Sequence, residues 1–516
     1  MSVTTRSDDE TTDPQPELAG RREWVGLVVL ALPALLASLE LTVTNLALPS
    51  IGHDLAASST QLLWAVDIYA FLLAGSLIMM GAWGDRIGPR RVLLVGAAGY
   101  GAASLLAAYA SSIEMLIAAR GLMGIAGATL MPSTLALATT LFPHPRQRAT
   151  AIAVIVASVS GGTAVGPLVG GWLLDRFWWG SAFLLAVPVM VVLVVLVPIL
   201  VPERRGAGRG RLDVVSALLS IAAVLPVVYG IKQVAAEGMS LTAVTAVLAG
   251  VAMAVVFTLR QRTLPEPFVD LTLFRNRVFA VAGATLALGI FVLWGSNYAI
   301  AQYLQLVEGL TPLVAGLWTA PSAIGVIVGS TLAPRLARRF RPTSIIGVGL
   351  LLSSAGYATL TQVGGEDSLT VLVTGAVIVS AGLGPMMALS TDLMIGSAPP
   401  ARAGAAAAIA STTPQLGGAF GIAVLGSVIT ATYRSTVDGT APAGTPENAV
   451  VLFEENLSAT TAATDGLPEP LATQLLTTAR DAFTTGFQLA AATSILITAA
   501  AATFIMLLGR AADRRS

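Results

Sequence analysis

The chain has 516 residues, 55% of them hydrophobic and 11% charged, and a mean hydropathy of +0.79. Soluble chains carry about 25% charged residues, so a water-soluble fold is excluded, and apolar runs of about 20 residues, among them Leu27 to Leu48 and Phe183 to Val201, mark a polytopic all-α membrane protein. The 29 basic and 29 acidic residues balance, which leaves no surplus for nucleic acid; the absence of cysteine removes disulfides, thiol catalysis and thiolate metal sites; and the two histidines, His53 and His144, lie far apart in loop-like stretches.

In chain order, residues 1–23 read as a disordered cytoplasmic tail, acidic through Asp8, Asp9, Glu10, Asp13 and Glu17 and lacking the basic start of a signal peptide. An apolar segment begins at Trp24 behind Arg21 and Arg22 and is too long for a cleavable leader, so it stays in the membrane. Runs bounded by Arg, Pro or Gly clusters then divide the chain into about fourteen spans, near 24–47, 61–82, 92–110, 113–136, 150–173, 181–201, 212–231, 241–259, 278–305, 312–333, 344–362, 369–394, 404–431 and 484–508. Residues 24–201 are expected to form one half of six helices, 202–277 two inserted helices with flanking loops, 278–508 a second half of six, and 509–516 a cytoplasmic tail. With the N-terminus inside, every Lys and Arg except Arg120, Arg176, Lys232, Arg434 and Arg480 falls in a cytoplasmic segment, as the positive-inside rule requires; both termini are therefore expected in the cytoplasm. Lys232 is placed at a span end. One external loop, 432–481, is long, and its Pro, Gly, Thr and acidic content predicts a solvated, partly flexible segment without chemistry of its own.

An internal repeat accompanies this division. Asp85-Arg-Ile-Gly-Pro-Arg-Arg-Val-Leu-Leu-Val-Gly96 is echoed by Arg338-Arg-Phe-Arg-Pro-Thr-Ser-Ile-Ile-Gly-Val-Gly349, Gly127-Ala-Thr-Leu-Met-Pro-Ser-Thr134 by Gly384-Pro-Met-Met-Ala-Leu-Ser-Thr391, and Gly161-Gly-Thr-Ala-Val-Gly166 by Gly417-Gly-Ala-Phe-Gly-Ile422, at nearly equal offsets. Paired halves about a midplane site are the architecture of alternating access, which points to a transporter.

Glu40, Asp67 and Arg120 lie inside apolar runs, where a charge costs about 2.5–3.5 kcal/mol and normally faces a partner or a water-filled cavity. At 1.5 Å rise per residue Glu40 is roughly 24 Å from the inner side, while Asp67 and Arg120 are roughly 9 and 10 Å from the outer. All three thus share a level, which predicts a proton-binding cluster; a permanent structural pairing of Arg120 with one acid, or its snorkelling outward, is the alternative. Trp64 and Phe71 flank Asp67 on its helix face, an arrangement suited to a lipophilic cation and equally to helix packing. Trp294, Tyr298, Tyr303, Met386 and Met387 offer an adaptable, weakly selective substrate lining. Gly162, Gly166 and Gly170 repeat every four residues as a smooth ridge, and Pro167 breaks the ladder beside them; a hinge and plain tight packing both fit.

At these residues the chain resembles the major facilitator superfamily, in particular its 14-helix drug:H⁺ antiporter branch of quaternary-ammonium and dye efflux pumps. Leu39-Glu-Leu-Thr-Val-Thr-Asn-Leu-Ala-Leu-Pro49 is similar to that branch's first-helix motif, with Glu40 in place of the usual Asp. Gly81-Ala-Trp-Gly-Asp-Arg-Ile-Gly-Pro-Arg-Arg91 resembles the cytoplasmic loop motif whose Asp85 and Arg86 help latch the closed state, with Pro89 where a basic residue is usual. Arg120-Gly-Leu-Met-Gly124 resembles the fourth-helix motif of proton coupling, Gly162-Thr-Ala-Val-Gly-Pro-Leu-Val-Gly-Gly171 the antiporter motif, and Leu63-Trp-Ala-Val-Asp-Ile-Tyr69 the second helix of dye pumps. The resemblance implies proton-driven export of lipophilic cations across a bacterial cytoplasmic membrane, with the lipid bilayer, substrate and protons as partners, no cofactor, and a monomer. A dedicated exporter of one antibiotic, siderophore or lipid is the alternative. A nucleotide-driven pump is disfavoured because the sole lysine, Lys232, sits in no Walker A motif, and an intramembrane enzyme because no metal or nucleophile motif occurs.

Overall fold

The structure is a computed structural model and describes residues 18–203, 213–264, 267, 269–365, 367–399, 402–464 and 466–513. Among the described residues there is no strand. In a bilayer interior every backbone N–H and C=O must be bonded within the protein, so apolar runs of this length become helices. The first half runs α1 (Arg21–Asp54), α2 (Ser59–Ile87), α3 (Pro89–Ala108), α4 (Ile113–Gly127) continued by α5 (Leu130–Leu141), α6 (Pro145–Arg176), and the short α7 (Ser181–Leu184) continued by α8 (Ala186–Leu200). The inserted pair is α9 (Val214–Glu237) and α10 (Leu241–Thr263). The second half is α11 (Arg277–Gln302), α12 (Pro312–Leu336), α13 (Pro342–Leu360), α14 (Ser368–Gly396), α15 (Ala403–Val437) and α18 (Glu469–Asp513), with α16 (Glu447–Glu455) and α17 (Leu457–Ala463) between the last two. Thirteen of the described helical segments are long and apolar enough to cross a membrane, and α6, 32 residues long, follows the course expected of the fourteenth.

The helix starts are chemically marked. Ser58, Ser112, Ser240, Asn276 and Thr311 accept hydrogen bonds from otherwise orphaned first-turn N–H groups, while Pro89, Pro312 and Pro342 occupy first-turn positions where no N–H is needed. Gly88 precedes Pro89 at φ 105, a conformation that only glycine adopts without strain, so α2 turns sharply into α3.

Buried apolar side chains form two clusters, one built mainly from residues 27–228 and one from residues 273–505. Within each, the same small-residue contact recurs. In the first, a Cβ at Gly162 of α6 would collide with the Leu35 carbonyl of α1, and one at Gly170 would lie 2.7 Å from Val43 Cγ2. In the second, a Cβ at Gly417 of α15 would lie 2.5 Å from the Ala287 carbonyl of α11, and one at Gly421 would collide with that of Phe291. The repeat legible as Gly161 to Gly166 against Gly417 to Ile422 is thus a repeated helix-on-helix packing, driven by close van der Waals approach because lipid supplies no hydrophobic force between helices. Of the spans, α10 is the least enclosed, with 11% of its apolar window buried, and α9 lies between it and the bundle, against α2 and α15.

The stretch expected as a solvated loop is instead largely helical. Tyr433 at the end of α15 donates to the Phe453 carbonyl at 2.8 Å, Arg434 pairs with Glu455 at 3.0 Å, and Asn456 caps α17 by accepting from the Ala459 N–H. From this hub Ser458 Oγ donates to the Pro49 carbonyl of α1 at 3.1 Å, and Ser59 Oγ of α2 to the Glu455 carbonyl at 3.3 Å. Phe453 and Leu457 are buried beneath it. Polar composition misled because these few apolar residues and a single cap suffice to dock two short helices on a surface already built. The segment is a clasp from the second half onto the first, at the end of the bundle opposite the described chain ends. Tyr433→Phe removes the bond to Phe453 and a contact to Thr460, a loss of about 1 kcal/mol, so amide exchange over residues 457–463 should quicken roughly fivefold. Unchanged exchange would show that the clasp is held elsewhere.

Candidate functional site

Close contacts between the halves at the clasp end include Gly171 of α6 against Leu313 of α12, where a Cβ would stand 2.5 Å from the Leu313 Cα, and Leu63 of α2 against Gly426 of α15 at a similar spacing. Toward the other end the halves part around a cavity of about 860 Å³ that reaches from Leu46 and Ile300 down to Gly81, Pro132 and Ala408. Its walls come from both halves and are mainly apolar. Tyr69, Tyr100, Trp294 and Trp318 supply aromatic faces, and Asn45, Asn297 and Gln415 neutral polar groups. Among the described residues no charged side chain lines it. Such a surface suits a bulky lipophilic ligand held by contact and stacking with few directional bonds.

Behind this wall sits a charged cluster. Arg120 of α4 donates from Nη1 to Glu40 Oε1 of α1 at 2.7 Å and from Nε to the Ala65 carbonyl of α2 at 3.1 Å, and its guanidinium lies 4.4 Å from the Tyr69 ring centroid. Tyr100 of α3 donates its hydroxyl proton to Glu40 Oε2. Glu40 and Arg120 are 2% and 1% exposed, so water does not reach the pair directly, while Tyr69 and Tyr100 both touch the cavity. Tyr100 therefore stands between the carboxylate and the cavity. No sequence argument singled it out, and its one visible signal was an aromatic side chain set between Gly99 and Gly101.

Asp67 does not join this cluster. Its carboxylate faces away from Arg120 and meets Lys232 of α9, Nζ to Oδ2 at 3.0 Å, with both side chains fully buried. The Lys232 ammonium lies 4.2 Å from the Trp64 ring centroid, so the cation expected between Trp64 and Asp67 is the protein's own. Lys232, placed at a span end by the sequence, lies at depth because α9 runs on to Glu237. Phe71 packs edge-on against Phe420 of α15 at 5.5 Å, away from the cavity. Among the expected lining residues, Trp294 and Met387 reach the cavity. Met386 packs against Gly289, Tyr303 hydrogen-bonds Ser368 at 2.7 Å, and Tyr298 lies beside Gly426, all three turned into helix contacts by their position on the helix face. Gly162, Gly166 and Gly170 run along α1, and Pro167 both lines the cavity and sets its carbonyl against Gly316 of α12. Arg86 is exposed in the last turn of α2; the side chain of Asp85 lies outside the described residues.

Residues 30–422 match the Major Facilitator Superfamily. The chain is 40% identical over 485 residues to the multidrug efflux pump LfrA of Mycolicibacterium smegmatis, covering 94% of this chain and 96% of that one. It is 32% identical to the methyl viologen resistance protein SmvA of Salmonella typhimurium, covering 90% and 93%. Among solved structures it is similar to a bacterial homolog of the human lysosomal transporter Spinster, inward-facing and unoccupied, with a TM-score of 0.67 at 18% identity over 95% of this chain and 98% of that one.

Proposed function

The chain belongs to the Major Facilitator Superfamily, and from that membership we propose that it exports lipophilic cationic drugs, dyes or quaternary ammonium compounds across the bacterial cytoplasmic membrane in exchange for protons. The observation that carries this reading is a neutral, aromatic-walled cavity with a buried carboxylate held one tyrosine behind its wall. The relatives named as efflux and methyl viologen resistance proteins support the substrate class. With both termini cytoplasmic, as the arginine distribution favours, the clasped end is external and the cavity opens inward, the state that loads substrate from the cytoplasm and inner leaflet.

Two loads alternate on this arrangement. A substrate enters by burying apolar surface against Trp294, Trp318 and Tyr69, its positive charge drawn by the aromatic faces and by Glu40 behind Tyr100. Glu40 is shared between Arg120 and Tyr100, so a proton reaching Oε2 by way of the tyrosine hydroxyl cancels the charge that holds Arg120, and the α1–α4 contact loosens. Proton and cation thus compete for one negative charge, which is what antiport requires. The α6–α1 and α15–α11 glycine seams let the halves rock while each stays packed. Gly316 against Pro167 places a close backbone contact at the α6–α12 boundary that this rocking must open.

Cells expressing the protein should extrude ethidium, and a protonophore should return retention to that of cells lacking it. Protonophore-resistant extrusion in ATP-replete cells would overturn the antiporter reading.

A further inference from the structure

The Asp67–Lys232 pair belongs neither to the cavity nor to the Glu40 cluster, and its position is unusual. Lys232 rides on α9, part of the inserted pair, and α9 packs against α2 of the first half and α15 of the second at once. It covers the seam where those two helices meet through Phe71 and Phe420 and through Leu63 and Gly426. A seam between halves must change when the halves rock. Across it the described polar link from α9 to α2 is this ion pair, and neither Asp67 oxygen nor Lys232 Nζ has another hydrogen-bond partner among the described residues. The charged and titratable groups facing Asp67 are Lys232 and, at longer range, Tyr298 of α11; α15 meets α2 here with Phe420 and Gly426, and Arg120 on the far side of α2 is taken by Glu40.

We propose that Lys232 is a proton-released latch: paired with ionised Asp67 it pins the inserted helices into the α2–α15 seam, and a proton on Asp67 frees α2 to move away from α9. Lys232 is then a positioning residue of the transport cycle acting through Asp67. Such a latch presupposes the proton exchange proposed above. A buried ion pair is poor evidence for stability, because hydrophobic replacements of similar volume are often neutral or stabilising, while removing one partner strands a charge. A second role accounts for retaining charges there, and a switch is the role that the seam position favours. The Trp64 face completes the latch, since it gives the ammonium a resting contact while the carboxyl is neutral.

The test uses the full chain in sealed vesicles with ethidium as probe, each variant checked for folding by size-exclusion elution. Wild-type protein and Lys232→Arg are expected to accumulate dye against its gradient when a proton gradient is imposed. Asp67→Asn/Lys232→Met keeps a packed, neutral pair; it should fold and still equilibrate dye downhill, yet lose accumulation. Accumulation by the double variant at the wild-type level would overturn the latch, because a merely structural pair survives neutral replacement. Absence of accumulation in the wild type would overturn the exchange reading and the latch with it. A second measurement uses the absence of native cysteine. A Cβ at Gly75 of α2 would lie 2.6 Å from Ile221 Cγ1 of α9, so Gly75→Cys/Ile221→Cys places two thiols within disulfide reach. Oxidation should stop accumulation and reduction restore it; transport undiminished in the cross-linked protein would show that α2 and α9 never separate.

Discussion

Glu40→Gln is expected to end gradient-driven export of every substrate. Two effects converge. An amide holds no exchangeable charge, so it cannot alternate between proton and cation; and it strands the Arg120 guanidinium, 1% exposed, without a counter-charge, a loss of about 3–5 kcal/mol for a broken buried pair. Glu40→Asp keeps the charge but draws it back by one methylene from Arg120 and Tyr100, so export should persist at a reduced rate. Tyr100→Phe removes the bond on Oε2 while leaving the Arg120 pair. Vesicle accumulation normalised to folded protein measures all three. Full accumulation by Glu40→Gln would remove Glu40 from coupling.

The second large effect is expected along the α6–α1 seam, and it is graded by position. At Gly162 the obstacle to a methyl group is the Leu35 carbonyl, which cannot rotate away. At Gly170 it is Val43, with Cγ2 at 2.7 Å and the Cα at 3.1 Å, and at Gly166 the Thr42 Cβ at 3.0 Å, the longest of the three nearest contacts. Over-packing of this kind costs about 1–3 kcal/mol, so Gly162→Ala should destabilise most, Gly170→Ala next and Gly166→Ala least. Gly161→Ala is the control: its Cβ meets nothing within 4 Å, and exchanging Gly for Ala inside a helix gains about 1 kcal/mol. Thermal unfolding in detergent ranks the four. Equal destabilisation at Gly161 and Gly162 would refute the close-approach account.

The spans and the paired halves were legible because the bilayer imposes a length and an apolarity that a one-dimensional string displays directly. Glu40 and Arg120 were legible for the same reason, since a charge inside an apolar run needs a partner at its own depth. Which partner was not legible. Asp67 and Arg120 share a level, but depth carries no information about helix rotation, and Asp67 turns to α9, an element whose place beside α2 follows from packing among distant segments. The sole lysine beside 28 arginines in a helix-length apolar run was the available signal for Lys232. Tyr298, Tyr303 and Met386 failed as lining for a related reason: chemistry nominated them, while the face they occupy on α11 and α14 decided otherwise.

The clasp also constrains how the molecule is made. Ser458 closes onto Pro49 across 409 residues of chain. At about 5–20 residues per second of translation, the end of α1 is made roughly 20–80 s before the residue of the clasp that closes onto it. During that interval the ends of α1 and α2 depend on whatever else is present, so the nascent protein has a vulnerable window that the finished one lacks. Quality control should therefore read the last hundred or so residues most stringently: a chain broken before α17 leaves every helix of the first half inserted yet never closed.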